Sequence, residues 1–320
     1  MGIVAQDGSI STIDCHYVQP GKAAAYLIVE GDEAAFVDNN TRFAVPRLLQ
    51  ALVSQGLQAE QVRWIIVTHV HLDHAGGTAA LQEACPNATV LAHPKTARHL
   101  IDPARLVAGS RAVYGADAFD ALYGDIAPVP EEHVRIMGDD ETLSWGARTL
   151  RFFNTYGHAS HHFSIYDDAS NSVFSGDAFG VGRSALSRPG PGFLICSSSP
   201  TDFDADEAHR SIERILATGA DRVYITHFGG FDNLPQHADL MHQAIDDMEA
   251  ILQDMIQSDE QESQLQAWGE ARVAEALEAQ LRRCKVADFE ADRAWLENDV
   301  KLNTMGLIFQ AQRRRPKTTT

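Results

Sequence analysis

Several classes of protein are excluded by what this 320-residue sequence lacks. No apolar run approaches the roughly 18 residues needed to cross a bilayer, so no membrane span is expected. The opening "MGIVAQDGSISTIDC" has neither the basic region nor the apolar stretch of a secretory signal, and Gln6 stands where a myristoylation signal wants Ser or Thr. Cysteine is scarce. Cys15, Cys85, Cys196 and Cys284 form no C-x-x-C pair, which excludes a disulfide framework and makes a cytoplasmic location the expectation. Positive charge is also short, with 26 Lys and Arg against 44 Asp and Glu and a net charge of -18. That balance argues against nucleic acid or polyphosphate partners and leaves a small-molecule substrate. The one basic cluster, Arg313–Arg315 with Lys317, reads as a solvated, disordered tail. G-x-S-x-G is missing, so no serine nucleophile competes.

Apolar residues at 44% and charged residues at 22% are what a globular chain carries. Through the first two-thirds, short β-branched runs alternate with turns and helix-like patches. "AAAYLIVEGDEAAFVDNN" reads as two strands about Gly31-Asp32, "RFAVPRLLQALVSQG" as a helix closed by Gly56, and "VRWIIVTH" as a buried strand. Residues 95–125 form a helical insertion. "RTLRFFNTYGH", "HFSIYDDASNSVFSGD" and "RVYITHFGG" are strand-like runs that each end on His or Asp. The expected division is 1–232 for the catalytic part and 233–320 for a helical extension of three helices.

"THVHLDHAGG", residues 68–77, packs three histidines and an aspartate just past a strand. His69 and His71, two apart in extended backbone, leave on one face. Asp73 and His74 follow where the chain turns into a helix, with Gly76 and Gly77 letting the backbone turn tightly. Four ligand-type side chains on one loop suit two metals better than one. Further ligands are available at three other strand ends: His158 in "NTYGHASHH", Asp177 in "FSGDAFG" and His227 in "YITHFGG".

The order H-x-H-x-D-H, G-H, S-G-D, T-H resembles the metallo-β-lactamase superfamily, and finer details resemble its branch near lactonases and hydroxyacylglutathione hydrolases. The resemblance runs from about residue 20 to 232. It implies an α+β, four-layer αβ/βα sandwich, here with a C-terminal helical extension. It further implies one metal on His69, His71 and His158 and a second on Asp73, His74 and His227, with Asp177 bridging. Asp73 and Asp177 would be the catalytic carboxylates, Asp177 as proton acceptor. Asp38 would orient a ligating imidazole, unless it is merely a turn or cap residue, and His162 would play a supporting part. The other histidines, His161 among them, read as ordinary.

Two divalent ions, zinc first with iron or manganese possible, would share a hydroxide that attacks an ester-like carbonyl. The common zinc β-lactamases usually carry Arg where this chain has His74 and use a Cys ligand for the second metal; having His74 and His227 instead favours ester, thioester, lactone or phosphoester over β-lactam. The glutathione-binding signature of the hydroxyacylglutathione hydrolases is absent, and "SRPGPGFLICSSSPTDFD" holds no clear counterpart of the lactonase tyrosine. Two alternatives stand beside the hydrolase: a mononuclear-iron persulfide dioxygenase, and a regulatory protein acting through its C-terminal helices. Those helices could cap the fold, form a homodimer surface or, with the insertion, roof the pocket.

Overall fold

The layers follow from residue alternation along the strands. The computed structural model describes residues 3–198, 201–258 and 262–315. In the strand Ala24–Glu30, Ala24, Tyr26 and Ile28 face one core while Ala25 and Leu27 face another, as a period of two requires. The first sheet runs in chain order: β1 Ile3–Asp7, β2 Ile10–Asp14, β3 Ala24–Glu30, β4 Glu33–Val37, β5 Val62–Val67, β6 Thr89–Ala92 and β7 Val134–Ile136. Its first four strands are antiparallel, and from β4 to β7 it is parallel.

The second sheet uses β8 Glu141–Trp145, β9 Arg148–Asn154, β10 Phe163–Asp167 and β11 Ser172–Gly176. It is completed by β14 Arg222–Ile225 and β15 Gly229–Asp232, in the order β15-β14-β11-β10-β9-β8. A separate ribbon pairs β12 Val181–Arg183 with β13 Phe193–Ile195.

Three apolar clusters separate the layers. Tyr26, Ile66 and Leu91 of the first sheet meet Phe152, Phe163 and Phe174 of the second between the sheets. The outer face of the first sheet is covered by α1 Val45–Ser54 and α3 Thr78–Ala84, which precede and follow the one-turn α2 Leu72–Ala75. The insertion forms α4 Pro94–Ile101, α5 Ala104–Tyr114 and α6 Ala116–Tyr123. Beyond the second sheet lie α7 Ala205–Leu216, α8 Leu234–Gln257, α9 Glu262–Arg283, α10 Phe289–Trp295 and α11 Glu297–Arg314. This is the αβ/βα sandwich with helices at its C-terminal end.

Two sequence expectations are corrected here. The last helix is two, α10 and α11, broken at Leu296. Asp292, fully buried, takes a two-pronged bond from Arg183 (2.7 and 2.6 Å), and the Lys22 ammonium sits 3.3 Å from the Trp295 ring centre. α11 packs on α8 and α9 and takes the Lys22 ammonium on Asp299 (3.1 Å), and the helix is interrupted at the buried Leu296. The arginine cluster is not all tail: Arg313 and Arg314 belong to α11. Arg314 donates to the Phe203 carbonyl (3.1 Å) and Arg315 to that of Met255 (2.7 Å). Residues 316–320 lie outside the described residues.

Candidate metal centre

Most candidate side chains sit just past the carboxyl end of a strand, where the sheets' parallel strands open onto one rim. Asp38 follows β4, His69 and His71 follow β5, Asp177 follows β11 and His227 follows β14, while His158 rides the loop from β9 to β10. α2 carries Asp73 and His74. The loop after β4 clasps it: the Asn39 and Asn40 N–H groups donate to the His74 carbonyl, and Asn40 Nδ2 to that of Asp73. Gly76 and Gly77 both keep negative φ, so tight turning is not their purpose. What Gly77 offers is space, since a Cβ there would meet the Thr41 carbonyl oxygen at 2.9 Å.

The seven expected ligands converge. His69, His71 and His158 form one group whose donor atoms lie within 4.8 Å of one another, Asp73, His74 and His227 form another, and His69, His74 and Asp177 a third. Asp177 reaches into both of the first two groups. Its Oδ2 is 3.4 Å from His158 Nε2 and 3.5 Å from His227 Nε2, and its Oδ1 is 3.3 Å from His74 Nε2.

In three of the rings, hydrogen bonds fix which nitrogen is bare. His74 Nδ1 donates to Asp38 Oδ2 (2.9 Å), leaving Nε2 a lone pair. Thr68 Oγ1 donates to Asp38, so it accepts from His69 Nδ1 (3.2 Å), and His69 Nε2 is bare as well. His158 Nδ1 donates to the Ser197 carbonyl (3.3 Å). Asp38 also accepts from the Thr68 N–H (2.9 Å) and from Thr226 Oγ1 (2.7 Å). One buried carboxylate thus orients an imidazole in two of the groups, directly for His74 and through Thr68 for His69. His162, fully buried, accepts the Asp177 N–H on Nε2 (3.2 Å) and bonds Thr155 Oγ1 through Nδ1 (2.9 Å), so it holds the backbone that aims Asp177.

These residues fit a metal. His74 Nε2 and Asp177 Oδ1 are buried without hydrogen-bond partners although they face each other across 3.3 Å. Two buried lone pairs so placed call for positive charge between them. The electrostatics agree. Burial alone would depress the His74 imidazole, but Asp177 and Asp73 outweigh it and hold it well above its ordinary value. Burial is likewise overridden at His227, which the same two carboxylates lift to about 10. His69, His71 and His158 are pushed down, chiefly by burial, which keeps them neutral donors.

A cavity of about 350 Å³ opens over the cluster. Leu72, Leu106, Val113, Val181 and Leu302 give it an apolar wall, with Arg105, Ser197 and Asn303 as polar groups. Both α5 and α11 contribute, so the insertion and the last helix together form the roof.

Some site residues carried no usable signal in the sequence. His161 lines the cavity and its ring lies 5.3 Å from that of His71; burial lowers it to about 3. Three histidines in five positions, 158–162, were the available hint. Tyr123 also lines the cavity and bonds the Tyr17 hydroxyl (3.1 Å); burial, then Tyr17 and Asp73, raises its phenol far above the ordinary value, so it remains a donor. The Tyr17 loop is strained, with Val18 at φ 61, a β-branched residue in left-handed backbone.

The metallo-beta-lactamase superfamily profile matches residues 18–227. The chain belongs to that superfamily. It is 28% identical to a hydroxyacylglutathione hydrolase of Albidiferax ferrireducens over 154 residues, 47% of this chain and 46% of that one. It is 26% identical to a probable metallo-hydrolase of Burkholderia pseudomallei over 172 residues, 52% of each. The chain therefore spans about half the length of the curated relatives it matches. An archaeal superfamily structure from Sulfolobus tokodaii superposes at a TM-score of 0.63 with 19% identity, covering 94% of this chain and 99% of that one, a likeness of fold. No described helix is long and apolar enough to cross a membrane.

Proposed function

We propose that this superfamily member is a two-metal hydrolase that opens an ester-like carbonyl, a lactone, thioester or ester. The observation that carries the reading is the pair of disjoint three-residue groups with Asp177 in reach of both. His69, His71 and His158 would hold one divalent cation, Asp73, His74 and His227 the other, and Asp177 both. The donor set suits zinc, iron or manganese, and such ions would acidify a shared water and polarise the carbonyl.

The chain supplies the rest. Asp38 and His162 set the directions of His69, His74 and Asp177. Both Asp177 oxygens face imidazoles and its side chain is 4% exposed, whereas Asp73 meets His227 and His74 through Oδ2 alone (3.4 and 3.9 Å) and is 22% exposed, so Asp73 is the carboxylate placed to accept the water's proton. Asp177 is thus assigned to holding the centre rather than to proton transfer. The apolar wall would seat the acyl group and exclude bulk water. A thioester fits the likeness to hydroxyacylglutathione hydrolase.

The test is metal content by elemental mass spectrometry on protein purified without chelators, followed by a lactone and thioester screen. Two equivalents, falling sharply in Asp177→Ala, with turnover of one class, are expected. One equivalent of iron with oxygen consumption would overturn the reading in favour of a persulfide-type oxygenase. Metal-free protein that resists reconstitution would leave only a regulatory role through the C-terminal helices.

A further inference from the structure

Outside this centre, α7 and α8 each present a histidine with an acid one turn on: His209 and Glu213 on α7, His242 and Asp246 on α8. They cross-pair. His209 Nε2 donates to Asp246 (3.1 Å), and His242 Nε2 donates to Glu213 (3.0 Å). A carboxylate only accepts, so both outer nitrogens carry the hydrogen, and in the neutral rings both Nδ1 atoms are left with lone pairs. Those two atoms face each other at 2.6 Å, in rings inclined by 21° with centres 4.9 Å apart. Bare nitrogen against bare nitrogen at that distance is repulsive unless a cation sits between them.

From this geometry we infer that His209 and His242 form a second metal site, taking one divalent transition cation such as Zn²⁺ between their Nδ1 atoms. Imidazole is a ligand these ions favour, and a carboxylate on the far nitrogen is the usual support for a metal-binding histidine. The nitrogens must part by less than about 1 Å to sit roughly 2.0–2.1 Å from the ion. With side chains 30% and 26% exposed, both rings are free to do so, and water can complete the coordination.

The site would clip α7 to α8. α7 in turn carries the His158 loop, because Ser211 Oγ donates to the Tyr156 carbonyl (2.6 Å) and the Asp204 N–H to that of Gly157 (2.9 Å).

The experiment is dialysis of purified, metal-loaded protein against buffered micromolar Zn²⁺, with bound zinc counted in wild type, His209→Gln and His242→Gln. Every variant keeps the centre at Asp177, so the difference isolates the surface site. Wild type is expected to hold one equivalent more than either variant, and to gain a Zn²⁺-dependent rise in melting temperature that both variants lack. Glu213→Gln keeps both imidazoles and should weaken this equivalent about 10–100-fold, the usual cost of losing an outer partner. Equal zinc in wild type and both histidine variants would overturn the proposal and leave a proton shared between the rings.

Discussion

The floor of the cavity comes from strand ends whose side chains are nearly sealed: His69 and His74 at 0% exposure, His158 and Asp177 at 6%. Part of its roof is α5, which has no buried residue at all. On the floor, most polar atoms have a named partner and one carboxylate, Asp38, serves several groups at once. The insertion's share of the roof is held chiefly by apolar contact and by the Tyr17–Tyr123 hydroxyl pair. Chemistry needs directions fixed to fractions of an ångström, which a packed sheet edge provides. Substrate choice needs shape, which surface helices can change without disturbing that edge.

The sharpest way to break this contrast is to make one substitution in both places. Gly176 has φ +51, and a Cβ there would lie 2.5 Å from His162 Nε2 and 2.8 Å from Thr68 Oγ1. Gly176→Ala is expected to abolish retained metal and activity together and to lower the melting temperature. Gly109, in the middle of α5, has nothing within 4 Å of its virtual Cβ. Gly109→Ala should leave metal content unchanged and stabilise the chain by about 0.5–1 kcal/mol through helix propensity. Metal loss in the roof variant, or retention in the floor variant, would dissolve the distinction. A second floor variant is milder. Asp38→Ala frees two imidazoles without removing a ligand, and should lower metal affinity about 10–100-fold in chelator competition.

The same contrast explains what the sequence shows. The floor is legible because it arrives as short local signatures: "THVHLDHAGG" supplies four candidates in six positions, and "FSGD" and "YITH" each end a strand-like run. His162 was legible only by resemblance, since its job is a bond to the backbone of Asp177 and depends on two strands being neighbours. The roof is assembled from residues 72, 123 and 303, and no local pattern records that Tyr123 meets Tyr17 or that Asn303 reaches the rim. The break at Leu296 was hidden for a similar reason. Helix propensity runs through it, and the Arg183–Asp292 pair that anchors α10 spans 109 positions.

Roof variants should alter preference rather than capacity. Leu106→Ala and Leu302→Ala each remove part of the apolar wall. With metal content unchanged, each is expected to shift the kcat/KM ratio between short and long acyl substrates by about tenfold, within the 1–3 kcal/mol one methylene contributes in an apolar pocket. An unchanged chain-length profile would mean that the acyl group sits elsewhere.

The smallest effect is expected where roof and floor touch. Asn303, 2% exposed on α11, accepts the Ser198 N–H (2.6 Å) and hydroxyl (2.8 Å) on its Oδ1. The neighbouring Ser197 carbonyl accepts from His158 Nδ1. A helix near the chain's end therefore steadies a candidate ligand 145 positions earlier, by way of one loop. Asn303→Ala strands the Ser198 N–H, while the Ser198 hydroxyl keeps the backbone carbonyl of residue 303 (3.1 Å), and should cost about 1–3 kcal/mol of stability, as an unpaired buried group does. If the path through Ser197 matters, metal affinity should also fall, but by less than in Asp38→Ala, because the His158 bond is loosened rather than lost. Equal stability loss with unaltered metal affinity would confine Asn303 to the roof and leave the floor self-sufficient.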